Sequence, residues 1–182
     1  MGYDTVFEGS FNLDRPLEPK LKAYLLRFSE TRRHKRTFAK TEDLPDPLRE
    51  AIGLPVGVDC EYYVGDTTEP GLHWGSNNIP PGEQPSLWCQ WVPNDDGTKI
   101  VWDEGEKFYH YVEWLVYYID HFLAPRNYIL NGEVKWQGEE QNDTAIIRIN
   151  NNSITIIVDC AQCPCCQERA REQKQREFMA AQ

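Results

Sequence analysis

From Tyr3 to Leu13 the chain alternates, with Tyr3, Thr5, Phe7, Gly9, Phe11 and Leu13 interleaved by Asp4, Val6, Glu8, Ser10 and Asn12. Side chains leave a strand toward opposite faces at every step, so this pattern defines a half-buried strand. One of its faces must then be covered. The alternation returns at Leu130, Gly132, Val134 and Trp136, followed by the strand-like runs TAIIRI (144–149) and SITIIVD (153–159) on either side of an NNN turn. Two more runs, LWCQWV (87–92) and TKIVW (98–102), flank PNDDG, where Gly97 suits the turn of a hairpin. VDCEYYV (58–64) reads as a further strand.

The cover comes from two helical stripes. Leu17, Leu21, Tyr24, Leu25 and Phe28 recur at helical spacing after Pro16 and Pro19. Phe108, Tyr111, Val112, Leu115, Tyr118, Ile119 and Phe122 form the second stripe, ending before Pro125. Asp103 with Glu106 three residues on has the form of a capping box and predicts the start of that helix. The segment 44–55, bracketed by prolines, is a short helical turn, and 65–86, dense in Gly, Pro, Asn and Ser, is a long loop. The order β-α-β-β-β-α-β-β-β predicts an α+β fold, a mainly antiparallel sheet with two amphipathic helices packed on one face. Residues 1–158 form a single domain in this reading, and 159–182 a polar, helix-prone extension containing cysteines.

Charge narrows the partners. With 19 basic and 29 acidic residues the net charge is −10, which argues against nucleic acid, whose phosphates need clustered cations. The charge is polarised. Between Lys20 and Lys40 eight cations face one acid, Glu30, so this segment carries +7 and the remainder −17. The opening residues lack a basic-then-apolar leader, and no apolar run is long enough to span a bilayer. Six cysteines in such a chain point to a cytoplasmic protein with reduced thiols and no membrane partner.

Several stretches taken together, GYDTVFEGSFNLDRPL, FSETRRHKR, QPSLWCQWVP, WDEGEKFYHYVEWL and LNGEVKWQGEE, resemble a family of small, uncharacterised bacterial and phage-borne proteins. The resemblance covers residues 1 to about 158 and implies no activity or catalytic residues. It places any shared function before the cysteine-rich end.

Four constellations are candidates for chemistry. Cys160, Cys163, Cys165 and Cys166 include a C-x2-C pair that could ligate zinc, but adjacent Cys165 and Cys166 do not easily converge on one tetrahedral ion. Free thiols are the plainer reading, and zinc is the one cofactor such a cluster suggests. Arg32, Arg33, Lys35 and Arg36 could hold a small anion or phosphate at a helix end, or could balance the chain's own carboxylates. His110 with Glu106 and Glu113 falls on one side of the predicted helix, which is the common pattern of a solvated face; Asp120 and His121 read the same way. Trp74, Trp88, Trp91 and Trp102 beside acidic turns could form an interaction surface or belong to the core. No nucleophile or nucleotide motif is present, and a pairing of Cys60 or Cys89 with a histidine has little support.

The expectation is a non-enzymatic cytosolic binding or accessory protein that meets a protein partner or small anionic ligand. Two alternatives stand beside it. One is an enzyme on a phosphorylated or nucleotide substrate, with Arg32, Arg33 and Lys35 as clamp and His110 or a carboxylate as base. The other is a zinc-stabilised interaction module. The sequence leaves the oligomeric state open.

Overall fold

The computed structural model describes residues 2–38, 45–65, 72–74 and 78–158. The cysteine cluster at 160–166 and the rest of the 159–182 extension lie outside these residues, as do the side chains of residues 37–38 and 72–74, Trp74 included.

The strands are β1 (Thr5–Leu13), β2 (Arg36–Phe38), β3 (Leu72–Trp74), β4 (Trp91–Pro93), β5 (Lys99–Trp102), β6 (Leu130–Gly138), β7 (Thr144–Asn150) and β8 (Ser153–Val158). The helices are α1 (Pro19–Glu30), α2 (Pro47–Ala51) and α3 (Tyr111–Tyr118). Among the described residues six strands form one antiparallel sheet in the order β4-β5-β1-β6-β7-β8, and β2 pairs with β3 apart from it. The α+β architecture follows the sequence pattern. α1 buries Leu21, Tyr24, Leu25 and Phe28, and α3 buries Trp114, Leu115, Tyr117 and Tyr118. Both sets join one core with Phe11, Ile100, Leu130, Val134, Ile147 and Ile149 of the sheet. The helices therefore cover a single face, while Glu8, Glu133, Lys135 and Arg148 on the other face stay exposed.

At the centre of the sheet β1 and β6 approach unusually closely. Gly9 (φ 115°) and Gly132 (φ 139°) sit two pairs apart in the register. A Cβ on Gly9 would lie 2.5 Å from the Glu133 carbonyl oxygen, and one on Gly132 would lie 2.7 Å from that of Ser10. Only glycine fits there.

Three sequence expectations need correction. Residues 58–64 are not a strand: Val58–Cys60 forms a tight turn in which Asp59 and Cys60 take φ of 52° and 62°, a backbone no strand accepts. The predicted 87–92 strand starts only at Trp91, because the Leu87 carbonyl accepts from the Arg33 N–H instead of a neighbouring strand. The second helix begins at Tyr111, not at Asp103. Glu104, Lys107 and His110 lie at φ of 65°, 58° and 57°, and left-handed residues cannot extend a right-handed helix. The Asp103 carboxylate accepts from Gly105 N (2.9 Å) and the Asp4 carboxylate from Lys107 N (3.1 Å), so the capping-box pattern closes a loop rather than a helix. Beyond Tyr118 the chain widens into a π turn (Ile119–Leu123) and then tightens into a 3-10 turn (Ala124–Arg126) ended by left-handed Asn127. No helix among the described residues is long and apolar enough to cross a membrane.

Candidate functional site

The basic segment follows α1 rather than forming its last turn, because Thr31 leaves the helix in an extended conformation. Arg33 then turns inward and is fully buried. Its Nη1 donates to Tyr63 O (2.9 Å), its Nη2 to Glu61 O and its Nε to Gln84 Oε1 (3.1 Å), with the guanidinium 4.1 Å above the Phe28 ring. Arg36 is also buried and donates to Arg32 O (2.7 Å) and His34 O (3.3 Å). Burial, then the nearby Arg33 charge, pulls its pKa down to about 10, still protonated at neutral pH. Both side chains face the protein's own carbonyls, so the expected anion site loses Arg33 and Arg36. Arg32 and Lys35 are half-buried; Arg32 bonds Asn78 Oδ1 (2.9 Å) and Lys35 pairs with Asp59 (3.1 Å). The segment works as a clamp that ties α1 to residues 58–64 and 78–87.

That clamp positions a groove. Residues 78–88 form one wall, and the loop before α3 forms the other. Phe108 anchors this loop: buried, it stacks edge-on to Phe7 (5.8 Å) and Trp91 (5.4 Å), a burial that stabilises by about 2 kcal/mol. The residues on either side of it therefore point out. Tyr109 (46% exposed) and Trp88 (43% exposed) face a cavity of about 510 Å³ together with Pro80, Leu87, Lys107 and His110. Ser86 braces both walls. Its hydroxyl accepts from Trp114 Nε1 (2.7 Å) and shares its proton between Trp88 O (3.2 Å) and Tyr109 O (3.3 Å). Gln90 adds a bond to Glu106 O (2.8 Å).

A second groove of about 370 Å³ adjoins the first through Pro85 and His110. Its floor is Tyr117, whose ring stacks on His121 at 4.0 Å, and His121 Nδ1 meets Tyr62 Oη at 2.6 Å. Glu83, Glu113 and Asp120 rim it. His110 lies 3.8 Å from Glu113, so that pair is brought together, whereas Glu106 lies in the loop beside the first groove and not on the helix. Among the described residues no group of three His, Cys, Asp or Glu side chains could hold a metal ion.

The tryptophans separate. Trp91 is fully buried, with Nε1 donating to Tyr111 O (2.8 Å), and belongs to the core rather than to a surface. Trp102 is half-buried and donates to Gln90 Oε1 (3.0 Å). Trp88 alone of these three reaches the groove. Cys89 and Cys60 are buried thiols pushed up to about 12 and about 11 by burial, so neither is a ready nucleophile at neutral pH. Asp96, in the acidic hairpin turn, caps that turn by accepting from Thr98 N (2.9 Å).

Sequence reasoning passed over Tyr109, Ser86 and the Tyr62–His121–Tyr117 contact. Tyr109 stood inside a predicted helix, and Ser86 stood in a predicted loop. Pro80, Pro81 and Pro85 leading into Trp88 were the available signal. Compared with known proteins, the chain matches no family model, no curated protein and no solved structure.

Proposed function

We propose that the chain is a non-enzymatic binding protein, an accessory factor of the cytoplasm, that holds a protein partner in the Trp88–Tyr109 groove. One observation carries this reading: two large aromatic side chains stand half exposed over one concavity. Such rings bury much area at small entropic cost and dominate binding energy where a partner excludes water around them. The bracing through Ser86 and Trp114 holds the walls in place before any partner arrives, which reduces the ordering cost of association. The adjoining rim carries Glu83, Glu106, Glu113 and Asp120 against Lys107, so the favoured partner segment has an apolar anchor flanked by Lys or Arg.

Partner capture from cells that make the protein tests this, comparing the natural chain with Trp88→Ala and Tyr109→Ala. Each substitution is expected to weaken the captured complex by about thirtyfold, the effect of a hot-spot residue near 2 kcal/mol, without lowering thermal stability. A partner that binds the doubly substituted protein equally well removes the reading. The phosphate-processing alternative gains no support, since the clamp it required would include Arg33, which is enclosed.

A further inference from the structure

The two edges of the sheet are built differently. β4, at one edge, has three residues and ends on Pro93, which has no N–H to offer a further strand. β8, at the other edge, has six residues, SITIIV, without charge, proline or glycine, and five of the six are β-branched. Natural edges are usually blunted by charge, proline or a bulge; β8 has none of these. Its pairing with β7 sets Ile154, Ile156 and Val158 opposite Ile149, Ile147 and Ala145, on the helix-bearing face. Ile154 packs against the core, but Ile156 is 38% and Val158 61% exposed, because α1 and α3 sit toward the β4 end of the sheet.

We propose that β8 is a homodimer interface, pairing antiparallel with β8 of a second copy to make a continuous twelve-stranded sheet, six from each copy. The occupant follows from chemistry. Residues 159–182 of the chain contain no Val, Ile or Thr and are poorly suited to extend this strand. A second β8 is fully suited. A two-fold axis normal to the sheet keeps both sets of helices on one side, so that Ile154, Ile156 and Val158 of both copies form one apolar strip. With Ile156 opposite its own copy, Ile154 lies opposite the second copy's Val158, and no charge on either strand opposes the pairing. The nearest charged pair on the solvent face, Arg148 and Glu133, neutralises itself at 2.6 Å.

The test is the mass of the full-length protein in reductant, by light scattering or sedimentation across a dilution series. The expected result is a species of twice 21.2 kDa, with β8 amides slow to exchange. Ile156→Lys and Val158→Lys, at exposed positions, are expected to weaken dimerisation at least about tenfold and to speed exchange in 154–158, leaving the unfolding transition in place. Val6→Lys, on the other face of β1 and 57% exposed, should leave the dimer intact. A 21.2 kDa species at every concentration, or a dimer indifferent to both β8 substitutions, overturns the proposal.

Discussion

A guanidinium can be enclosed at Arg33 because three acceptors meet its three nitrogens, two of them backbone carbonyls. Replacing it leaves those acceptors buried and unpaired, so Arg33→Met is expected to cost about 3 kcal/mol or more in urea unfolding, while Arg32→Ala, at a half-buried side chain, should cost under about 1 kcal/mol. Equal effects would show that the clamp has been misread. Nearby His34 is buried, and burial followed by the charges of Arg36 and Arg32 holds its pKa down from 6.5 to about 4. In the unfolded chain the imidazole takes a proton below 6.5; in the folded chain it does so only near 4. Stability is therefore complete above 6.5 and falls as pH drops through that window. Thermal unfolding of the natural protein should lose more ground across this range than that of His34→Gln, which separates the histidine from the carboxylates titrating beside it. None of this was visible in the sequence. RRHKR reads as an anion site at a helix end or as counter-charge for the chain's own carboxylates, whereas the turn at 58–64, itself unforeseen, supplies the carbonyls that draw Arg33 inside.

At the scale of elements the long periodic segments were legible and the strained ones were not. β1, β6, β7 and α1 follow from periods of two and 3.6 because burial on one face selects that spacing. The loop before α3 escaped, since Asp103 and Glu106 fit a helix start locally while Asp4, a hundred residues away, holds Lys107 N in the left-handed region. Left-handed side chains cost about 1 kcal/mol each. Lys107→Gly is thus expected to raise stability by up to about 1 kcal/mol, an uncommon sign for a glycine substitution; a loss in calorimetry would mean that the lysine side chain contributes more than the strain costs. Gly132→Ala should act oppositely. Its Cβ would meet the Ser10 carbonyl oxygen at 2.7 Å, so β1 and β6 must part, at a cost of about 2 kcal/mol. Trp88 was legible as an interaction residue by type, but Tyr109 needed the loop to be seen as a loop.

For the molecule as a whole, charge was legible and its placement was not. The +7 segment read from the sequence has Arg33 and Arg36 sealed inside against one buried carboxylate, Asp46, so among the described residues burial withdraws more positive than negative charge from the surface. The cysteine-rich end is a separate matter from the groove. Freshly purified protein is expected to carry less than one equivalent of zinc, and a one-to-one content abolished by Cys163→Ser would instead support a zinc-stabilised module. The unequal edges of the sheet also limit how copies can associate. Chain growth, as in a fibre, requires each unit to offer two adhesive ends. Among the described residues Pro93 blunts one end of the six-stranded sheet and β8 leaves the other open, so this sheet has a valence of one, and its edge-to-edge assembly stops at two.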